Sequence, residues 1–330
     1  MAVTWLVACS LAGCVGVFAD DGSSVSLGTH ARGALLRGVV LPETGAGYEV
    51  PPPWRERHRQ YSTEEVVRWL TGAFRRVAAE LPGSVAQVGD LSRQGGGASL
   101  EHKSHGSGRD IDIFFYAMDP DGNQVRSERA AFRFGADGEV VSWSMPAAVR
   151  ERWHGRLRAL HCRSEGAARP GPLPQVRFDA RRNWALVRAM LTDPSVEVQW
   201  IFIQRALGEL MLREGPVATD DPALVARAAA LMHQPSDAQA HDDHMHVRVY
   251  CEPSDRALGC VDRGPLRWWK KRWKDLARAA EPDRSDAEAV ATAPGVEKAG
   301  PAAGEGARTT AKIATGVGGM VLAGSTVRAR

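Results

Sequence analysis

The chain has 330 residues, 44% of them hydrophobic, which is ample for one domain of ordinary size with further segments at its ends. Its formal net charge is +3 and its isoelectric point is about 8.7. This charge is too balanced to indicate nucleic-acid binding, so the function has to be sought in local patterns.

The amino-terminal segment has the features of an export signal. Residues 1–19 contain no charged side chain, and the apolar run Val3 to Phe18 is shorter than the ~20 residues of a membrane-spanning helix. Leu11-Ala-Gly-Cys14 resembles the lipobox of bacterial lipoproteins, although the usual positively charged start is missing. We therefore expect a lipoprotein signal region with Cys14 as the lipidated residue; a plain cleaved signal is the alternative. Val15 replaces the acidic residue typical of inner-membrane retention, which favours a periplasmic protein anchored to the outer membrane.

The next segment, residues 20–50, is rich in small residues and is predicted to be a flexible tether, followed by the stiff spacer Pro51-Pro-Pro53. The main domain is predicted to cover residues 51–265. At its carboxyl side we expect a basic, tryptophan-rich helix over residues 266–280, which would lie on an anionic membrane surface or on glycan strands. An ordinary terminal helix packed on the core is the alternative. Residues 281–330 contain no aromatic residue and are predicted to be a disordered Ala/Gly-rich tail.

Within the main domain, apolar periodicity predicts helices and strands in mixed order. The first predicted helix begins at Ser62 or Thr63 and ends near Leu81. The other predicted helices cover Phe178–Leu191, Ala206–Leu212 and Pro222–Met232. The predicted strands lie at Val85–Val88, Asp110–Phe115, Val140–Trp143, Glu197–Ile203 and Met245–Val249. This order predicts an α+β fold in which helices flank a mostly antiparallel central sheet.

A histidine-rich run, His241-Asp-Asp-His-Met-His-Val-Arg248, carries the first chemical signal. Its apolar and polar residues alternate with the period of a half-buried strand. Such a strand buries the apolar side chains and places the polar ones together on the opposite face. These polar residues are His244, His246 and Arg248.

A second polar run, Glu101-His-Lys-Ser-His-Gly-Ser-Gly-Arg-Asp-Ile-Asp-Ile113, matches the first in character. Its glycines permit a tight turn, after which Asp110 and Asp112 share one face of a strand. His105 lies on the turn and is free to lean over that face. Imidazole nitrogens and carboxylate oxygens are ligands that zinc takes at about 2.0–2.2 Å, and three such ligands leave an open position for catalysis. The two runs therefore predict one metal site in the central sheet.

Spacing leaves the choice of ligands open. Residues two apart on a strand are roughly 7 Å apart, so His244 and His246 can converge on one ion, and either aspartate can join them. The cluster holds more donors than one ion needs. A structural zinc site is the alternative to a catalytic one.

These residues resemble the LAS group of metallopeptidases, named after lysostaphin, D-alanyl-D-alanine metallopeptidases and the sonic hedgehog amino-terminal domain. Within that group the resemblance is closer to the penicillin-insensitive murein endopeptidases, and it covers roughly residues 50–262. The stretches that carry it are Val88-Gly-Asp-Leu-Ser92 with Gly95-Gly-Gly97, Ser104-His-Gly-Ser-Gly-Arg-Asp-Ile-Asp112, Phe178-Asp179 with Arg182-Asn-Trp184, and His241 to Arg248.

The resemblance implies roles for single residues. One zinc ion per chain would be bound by His105, Asp112 and His246. The catalytic residues would be His244, which activates water or stabilises the transition state, and His241. Residues supporting the ligands or facing the substrate would be His102, Asp110 and Arg248. Cysteines in similar places of the resembled enzymes imply a disulfide bond between Cys251 and Cys260.

The implied activity is zinc-dependent hydrolysis of peptide cross-links in bacterial peptidoglycan, at D-alanyl-meso-diaminopimelate bonds. The carboxypeptidase and dipeptidase branches place a glutamate shortly before the last histidine. Asp242 and Asp243 stand there instead, which favours an endopeptidase. Peptidoglycan would be the partner, the membrane would be contacted only through the lipid anchor, and no nucleic acid is expected. The alternatives are a non-catalytic, zinc-containing cell-wall-binding lipoprotein and a related D,D-carboxypeptidase.

Overall fold

A computed structural model describes residues 22–99, 102–128, 130–144, 175–218, 221–236 and 238–264. The strands, numbered β1 to β16 in chain order, are Val25–Gly28, Gly33–Leu36, Val39–Val40, Thr44–Gly45, Tyr48–Glu49, Tyr61–Ser62, Ala86–Val88, Asp110–Phe114, Ala117–Met118, Gln124–Val125, Ala131–Phe134, Val140–Ser144, Arg177–Phe178, Val198–Phe202, Met232–His233 and His244–Val249. The helices, numbered α1 to α6, are Pro52–Arg55, Glu64–Glu80, Ala180–Thr192, Arg205–Ala218, Pro222–Leu231 and Pro253–Ala257. No helix among these described residues has the length and apolar character needed to span a membrane.

Several predicted segments lie outside the described residues. They are the signal region, residues 1–19 with Cys14, the basic tryptophan-rich helix at residues 266–280, and the tail at residues 281–330. These remain predictions from sequence.

A seven-stranded sheet with the order β15-β14-β16-β8-β7-β5-β4 forms the centre of the fold. Four of its six neighbouring pairs are antiparallel, whereas β5–β7 and β14–β15 are parallel. The predicted α+β class is confirmed, and the sheet is mixed. The parallel pairs arise because helical crossovers join their strands: α2 lies between β5 and β7, and α4 and α5 lie between β14 and β15.

Strands β8 and β16 form the antiparallel pair at the middle of this sheet. Their isoleucines, methionine and valines alternate as predicted, and Ile111, Ile113, Met245 and Val247 are all 0% exposed. Burial of each such side chain contributes about 1.5–3 kcal/mol. A slip of one residue would move the whole apolar set to the polar face, so burial fixes the register of the pair. The polar face of both strands is thereby fixed as well.

The helices complete the core on the apolar face of the sheet. Helix α2 packs against α3, which also packs against α4, and the indole of Trp69 in α2 donates to the Met190 carbonyl oxygen of α3 at 3.2 Å. Thr63 occupies the N-cap position of α2 without a capping bond from its side chain. The Glu64 amide instead donates to Ser24 Oγ at 2.6 Å, so a residue from the first strand region stabilises the start of this helix.

The tether predicted for residues 20–50 is wrong over the part that forms β1 to β5. Strands β1 and β2 form a hairpin, β3 pairs with β6, and β4 and β5 extend the central sheet. Leu35 and Tyr48 are only 2% and 4% exposed. These short strands obtain their hydrogen bonds and burial from distant parts of the chain, which local composition does not reveal.

The hairpin of β1 and β2 is attached to a loop closed by a disulfide bond between Cys251 and Cys260, the pair that the resemblance implied. The Gly28 amide donates to the Gly259 carbonyl at 3.0 Å, and the Val261 amide donates to the Gly28 carbonyl at 2.8 Å. The first strand and the last described residues are therefore joined directly.

Candidate active site

Three of the predicted ligands converge at the middle of the sheet. The antiparallel register places His246 opposite Asp112, and the turn before β8 brings His105 beside them. Asp112 Oδ1 lies 3.3 Å from His105 Nε2 and 3.2 Å from His246 Nδ1. His105 has a left-handed backbone with φ +66, which is uncommon for a residue with a side chain and is retained where the surroundings impose it.

Hydrogen bonds orient both imidazoles toward this point. His105 Nδ1 lies 2.5 Å from the Leu91 carbonyl oxygen, which can only accept, so Nδ1 carries a proton and Nε2 presents a lone pair. His246 Nε2 in the same way faces Asp110 Oδ1 at 2.7 Å, which leaves Nδ1 toward Asp112. His105 Nε2 and Asp112 Oδ1 are buried and have no hydrogen-bond partner among the described residues.

This arrangement fits a metal ion. Two ligands about 2.1 Å from a tetrahedral ion are about 3.4 Å from each other, close to the separations seen here, and buried polar atoms without partners are costly unless something binds them. Two groups of three side chains can hold an ion: His102, His105 and Asp112 form one, and His241, His244 and His246 form the other. The distances to Asp112 Oδ1 join the two groups into one centre, so we treat them as a single site.

His244 lies at the edge of this centre and is held by a neighbouring carboxylate. Its Nδ1 is 2.5 Å from Asp243 Oδ1, and its Nε2 is 3.5 Å from Asp112 Oδ1. Burial opposes the charged form, but Asp112 and Asp243 outweigh it and raise the pKa of His244 to about 9. His241 behaves in the opposite way, because burial together with the nearby His244 and His246 lowers its pKa to about 3.

His102 belongs to a second hydrogen-bonded group on the other side of His105. Its Nε2 lies 2.7 Å from Asp90 Oδ2, and Arg57 donates to the same oxygen at 2.5 Å. The rings of His102 and His105 are 4.6 Å apart. The backbone carbonyl of Asp90 also accepts a hydrogen bond from the Asp112 amide at 2.9 Å, so this group is joined directly to β8, the strand that carries Asp112.

Asp110 lies beneath the floor of the site and connects two of its side chains. It is 0% exposed, and its Oδ1 accepts from His246 Nε2 and, at 2.6 Å, from Arg248 Nε. Burial works against its charge, yet Arg248 and His246 hold the pKa of Asp110 well below its usual range. A carboxylate that orients a ligand histidine in this way is a common support of metal sites.

The centre opens into a cleft of about 1060 Å³. Asp112, His244 and His246 line it, whereas His105 and Asp110 lie below its floor. All eight residues predicted for the chemistry thus lie together, and the disulfide lies apart from them. Other cleft residues, which the two polar runs did not indicate, include His30, Trp54, Arg57, Asp90, Trp200, Phe202 and His233.

Of the residues for which no role was predicted, Asp90 had a usable signal, since it lies two residues after the buried strand β7 in a stretch that carries the resemblance. His30 had none. It lies in the turn between β1 and β2, where its carbonyl accepts from the Gly106 amide at 2.7 Å beside His105. Burial, followed by the charge of Arg248, lowers the pKa of the His30 side chain to about 4.

The fold and the site together define an α+β domain whose central sheet carries a histidine- and aspartate-rich centre in an open cleft. Residues 26–161 match the family model described as penicillin-insensitive murein endopeptidase. The chain is 34% identical over 250 residues to the penicillin-insensitive murein endopeptidase of Haemophilus influenzae, covering 75% of this chain and 70% of that protein. It is 24% identical over 255 residues to the protein of the same name from Yersinia enterocolitica, covering 73% and 71%. The chain belongs to the penicillin-insensitive murein endopeptidase family, as the resemblance in its motifs implied.

Proposed function

We propose that this chain is a zinc-dependent endopeptidase that hydrolyses peptide cross-links of bacterial peptidoglycan, with the D-alanyl-meso-diaminopimelate bond as its substrate. The observation that carries the proposal is the convergence of His105 Nε2, Asp112 Oδ1 and His246 Nδ1 at the floor of an open cleft. The names of both relatives support peptidoglycan as the substrate.

Zinc is the proposed ion because imidazole nitrogens and a carboxylate oxygen are its usual ligands in sites of this kind. His105, Asp112 and His246 would hold it, one ion per chain. When bound, such an ion lowers the pKa of water to about 7 and polarises a carbonyl group.

His244 is proposed as the residue that stabilises the transition state. Asp243 holds its Nδ1, so its Nε2 points toward the ligand centre and can donate to the scissile carbonyl oxygen as negative charge develops there. His241 is the second proposed catalytic residue. Its ring centroid lies 5.1 Å from that of His244, and its low pKa keeps the imidazole uncharged, so that it can position a reacting group through a hydrogen bond.

The two aspartates before His244 favour an endopeptidase over a D,D-carboxypeptidase. Asp243 is engaged by His244, and Asp242 accepts two hydrogen bonds from Arg133, at 2.9 and 3.2 Å. Both carboxylates are thus held by neighbouring side chains, which opposes the role that the glutamate base has in the carboxypeptidase branch.

We also propose a periplasmic location, with the chain anchored to the outer membrane through a lipid on Cys14. The support is the uncharged apolar run of residues 1–19 with its Leu11-Ala-Gly-Cys14 motif.

The proposal is tested on the purified full chain. Elemental analysis should find about one zinc per chain, and incubation with cross-linked peptidoglycan should convert dimeric muropeptides to monomers. A chelator should abolish the conversion, and added zinc should restore it. Absence of bound metal would overturn the proposal, and release of free D-alanine without loss of dimers would establish the carboxypeptidase instead.

His244→Ala separates catalysis from metal binding. The variant should retain zinc and lose nearly all hydrolysis, whereas His58→Asn, at an exposed left-handed position where asparagine is tolerated, should behave like the wild type. Zinc-loaded wild-type protein that binds peptidoglycan and leaves every muropeptide unchanged would establish the non-catalytic wall-binding lipoprotein.

A further inference from the structure

The side chain of Arg248 is held in the cleft by two contacts. Its Nε donates to Asp110 Oδ1 at 2.6 Å, and its guanidinium carbon lies 5.1 Å from the centre of the Phe202 ring. Asp110 is itself fully buried. One edge and one face of the guanidinium are therefore fixed, and the group is oriented before any ligand binds.

The remaining edge of Arg248 faces the cleft. Arg248 lines the cleft and its side chain is 12% exposed. Within the ranges that the structure describes, neither Nη1 nor Nη2 donates a hydrogen bond to the protein. Two coplanar N–H donors in this arrangement match the two oxygens of a carboxylate.

The guanidinium group of Arg248 lies close to the proposed reaction centre. His246 Nε2 and Arg248 Nε contact the same oxygen of Asp110, at 2.7 and 2.6 Å, so the two nitrogens are no more than about 5 Å apart. A carboxylate on the carbon attached to the scissile nitrogen has its oxygens roughly 3 Å from that nitrogen. A substrate bound over His246 can therefore extend such a carboxylate to Arg248.

We propose that Arg248 is a specificity-determining residue that binds a free carboxylate on the residue following the scissile bond. The inference rests on the proposed function, because in a D-alanyl-diaminopimelate cross-link the carbon bearing the amide nitrogen also bears a carboxyl group. The other arginine near the histidine run, Arg133, donates to Asp242 through both Nε and Nη2. Among the residues that the structure describes, Arg248 donates to the protein through Nε only, which leaves its two terminal nitrogens for a ligand.

The test uses two synthetic cross-linked peptides that differ only at this group, one with the free carboxylate and one with a carboxamide. Binding to the metal-free full chain is measured by calorimetry, and kcat/KM is measured for the zinc-loaded chain. The wild type should prefer the carboxylate by about 10- to 100-fold, the range of a charge-assisted hydrogen-bonded contact. Arg248→Gln should reduce this preference to about one, while Arg248→Lys should retain part of it.

The amide peptide serves as the internal control for damage to the fold, because misfolding would weaken the binding of both peptides equally. Arg75→Gln, at an exposed position of α2, is the matched control and should keep the wild-type preference. An equal preference in the wild type and in Arg248→Gln, or none in the wild type, would overturn the inference. A carboxylate preference in binding without any cleavage would contradict the proposed function and leave the role of Arg248 intact.

Discussion

Replacing Asp110 with asparagine tests whether this buried carboxylate positions the proposed metal ligand. The substitution keeps the shape of the side chain and removes its charge. Asp110 Oδ1 accepts from His246 and Arg248, and Oδ2 faces the His105 amide at 3.4 Å. If the asparagine oxygen replaces Oδ1, its NH2 group opposes the His105 N–H, and two donors then face each other.

The expected magnitudes follow from these contacts. Removal of one partner from a buried ion pair costs about 3–5 kcal/mol, and asparagine keeps a neutral acceptor, so we expect the free energy of unfolding to fall by about 3 kcal/mol. Loss of a carboxylate that orients a ligand histidine lowers metal affinity by about 10- to 100-fold. The charged Arg248 left beside the ligands adds to this loss.

Zinc affinity is measured by competition with a chromogenic chelator, and stability by urea unfolding of the metal-free chain. Asp179→Asn is the matched control, since Asp179 is also a buried carboxylate beside an arginine, 2% exposed, and lies outside the cleft lining. It should leave zinc affinity within about twofold of the wild type. An Asp110→Asn chain that binds zinc as tightly as the wild type would refute the positioning role.

Two further predictions concern stability. Replacing Cys251 and Cys260 together by serine should lower the free energy of unfolding by about 2–3 kcal/mol, because the disulfide closes a short loop with a sequence separation of 9; an unchanged urea midpoint would contradict this. The folded-state pKa of His30 is about 4, because burial and the charges of Arg248, Arg109 and His246 lower it more than Asp110 raises it. Between about pH 6.5 and 4 the folded chain therefore takes up fewer protons than the unfolded chain, and this residue makes stability fall as the pH decreases through that window. As the pH is lowered from 7.5 to 5, the melting temperature of metal-free His30→Asn should therefore rise relative to that of the metal-free wild type. A difference in melting temperature that does not change with pH would refute the assignment.

The parts of the fold that could be predicted are those whose pattern repeats within one element. Strands β8 and β16 alternate apolar and polar residues, and helix α2 buries one face at helical spacing, so periodicity alone located them. Strands β1 to β5 have two to four residues each. Their pairing depends on partners far along the chain, and no local signal separates them from a tether.

The candidate site divides in the same way. Its histidines and aspartates could be identified because they cluster in two runs, but spacing could not choose the ligand atoms. That choice depends on hydrogen bonds from outside the runs or across the sheet: the Leu91 carbonyl on His105 Nδ1 and Asp110 on His246 Nε2. His30 lies in a segment without any functional pattern and could not be found from sequence.

The attachment of the first hairpin to the disulfide loop has a consequence for how the cleft is assembled. The Ser26 amide donates to Asp255 Oδ2 at 2.8 Å across a separation of 229 residues. A chain that emerges amino end first, from a ribosome or an export channel, presents β1 long before this partner exists, and closing so large a loop is a late event. A chain interrupted before Asp255 would keep the hydrogen bond between the Gly106 amide and the His30 carbonyl but lose the contacts of β1 with the disulfide loop, so the hairpin that carries His30 is anchored at both sides only after that loop has been made.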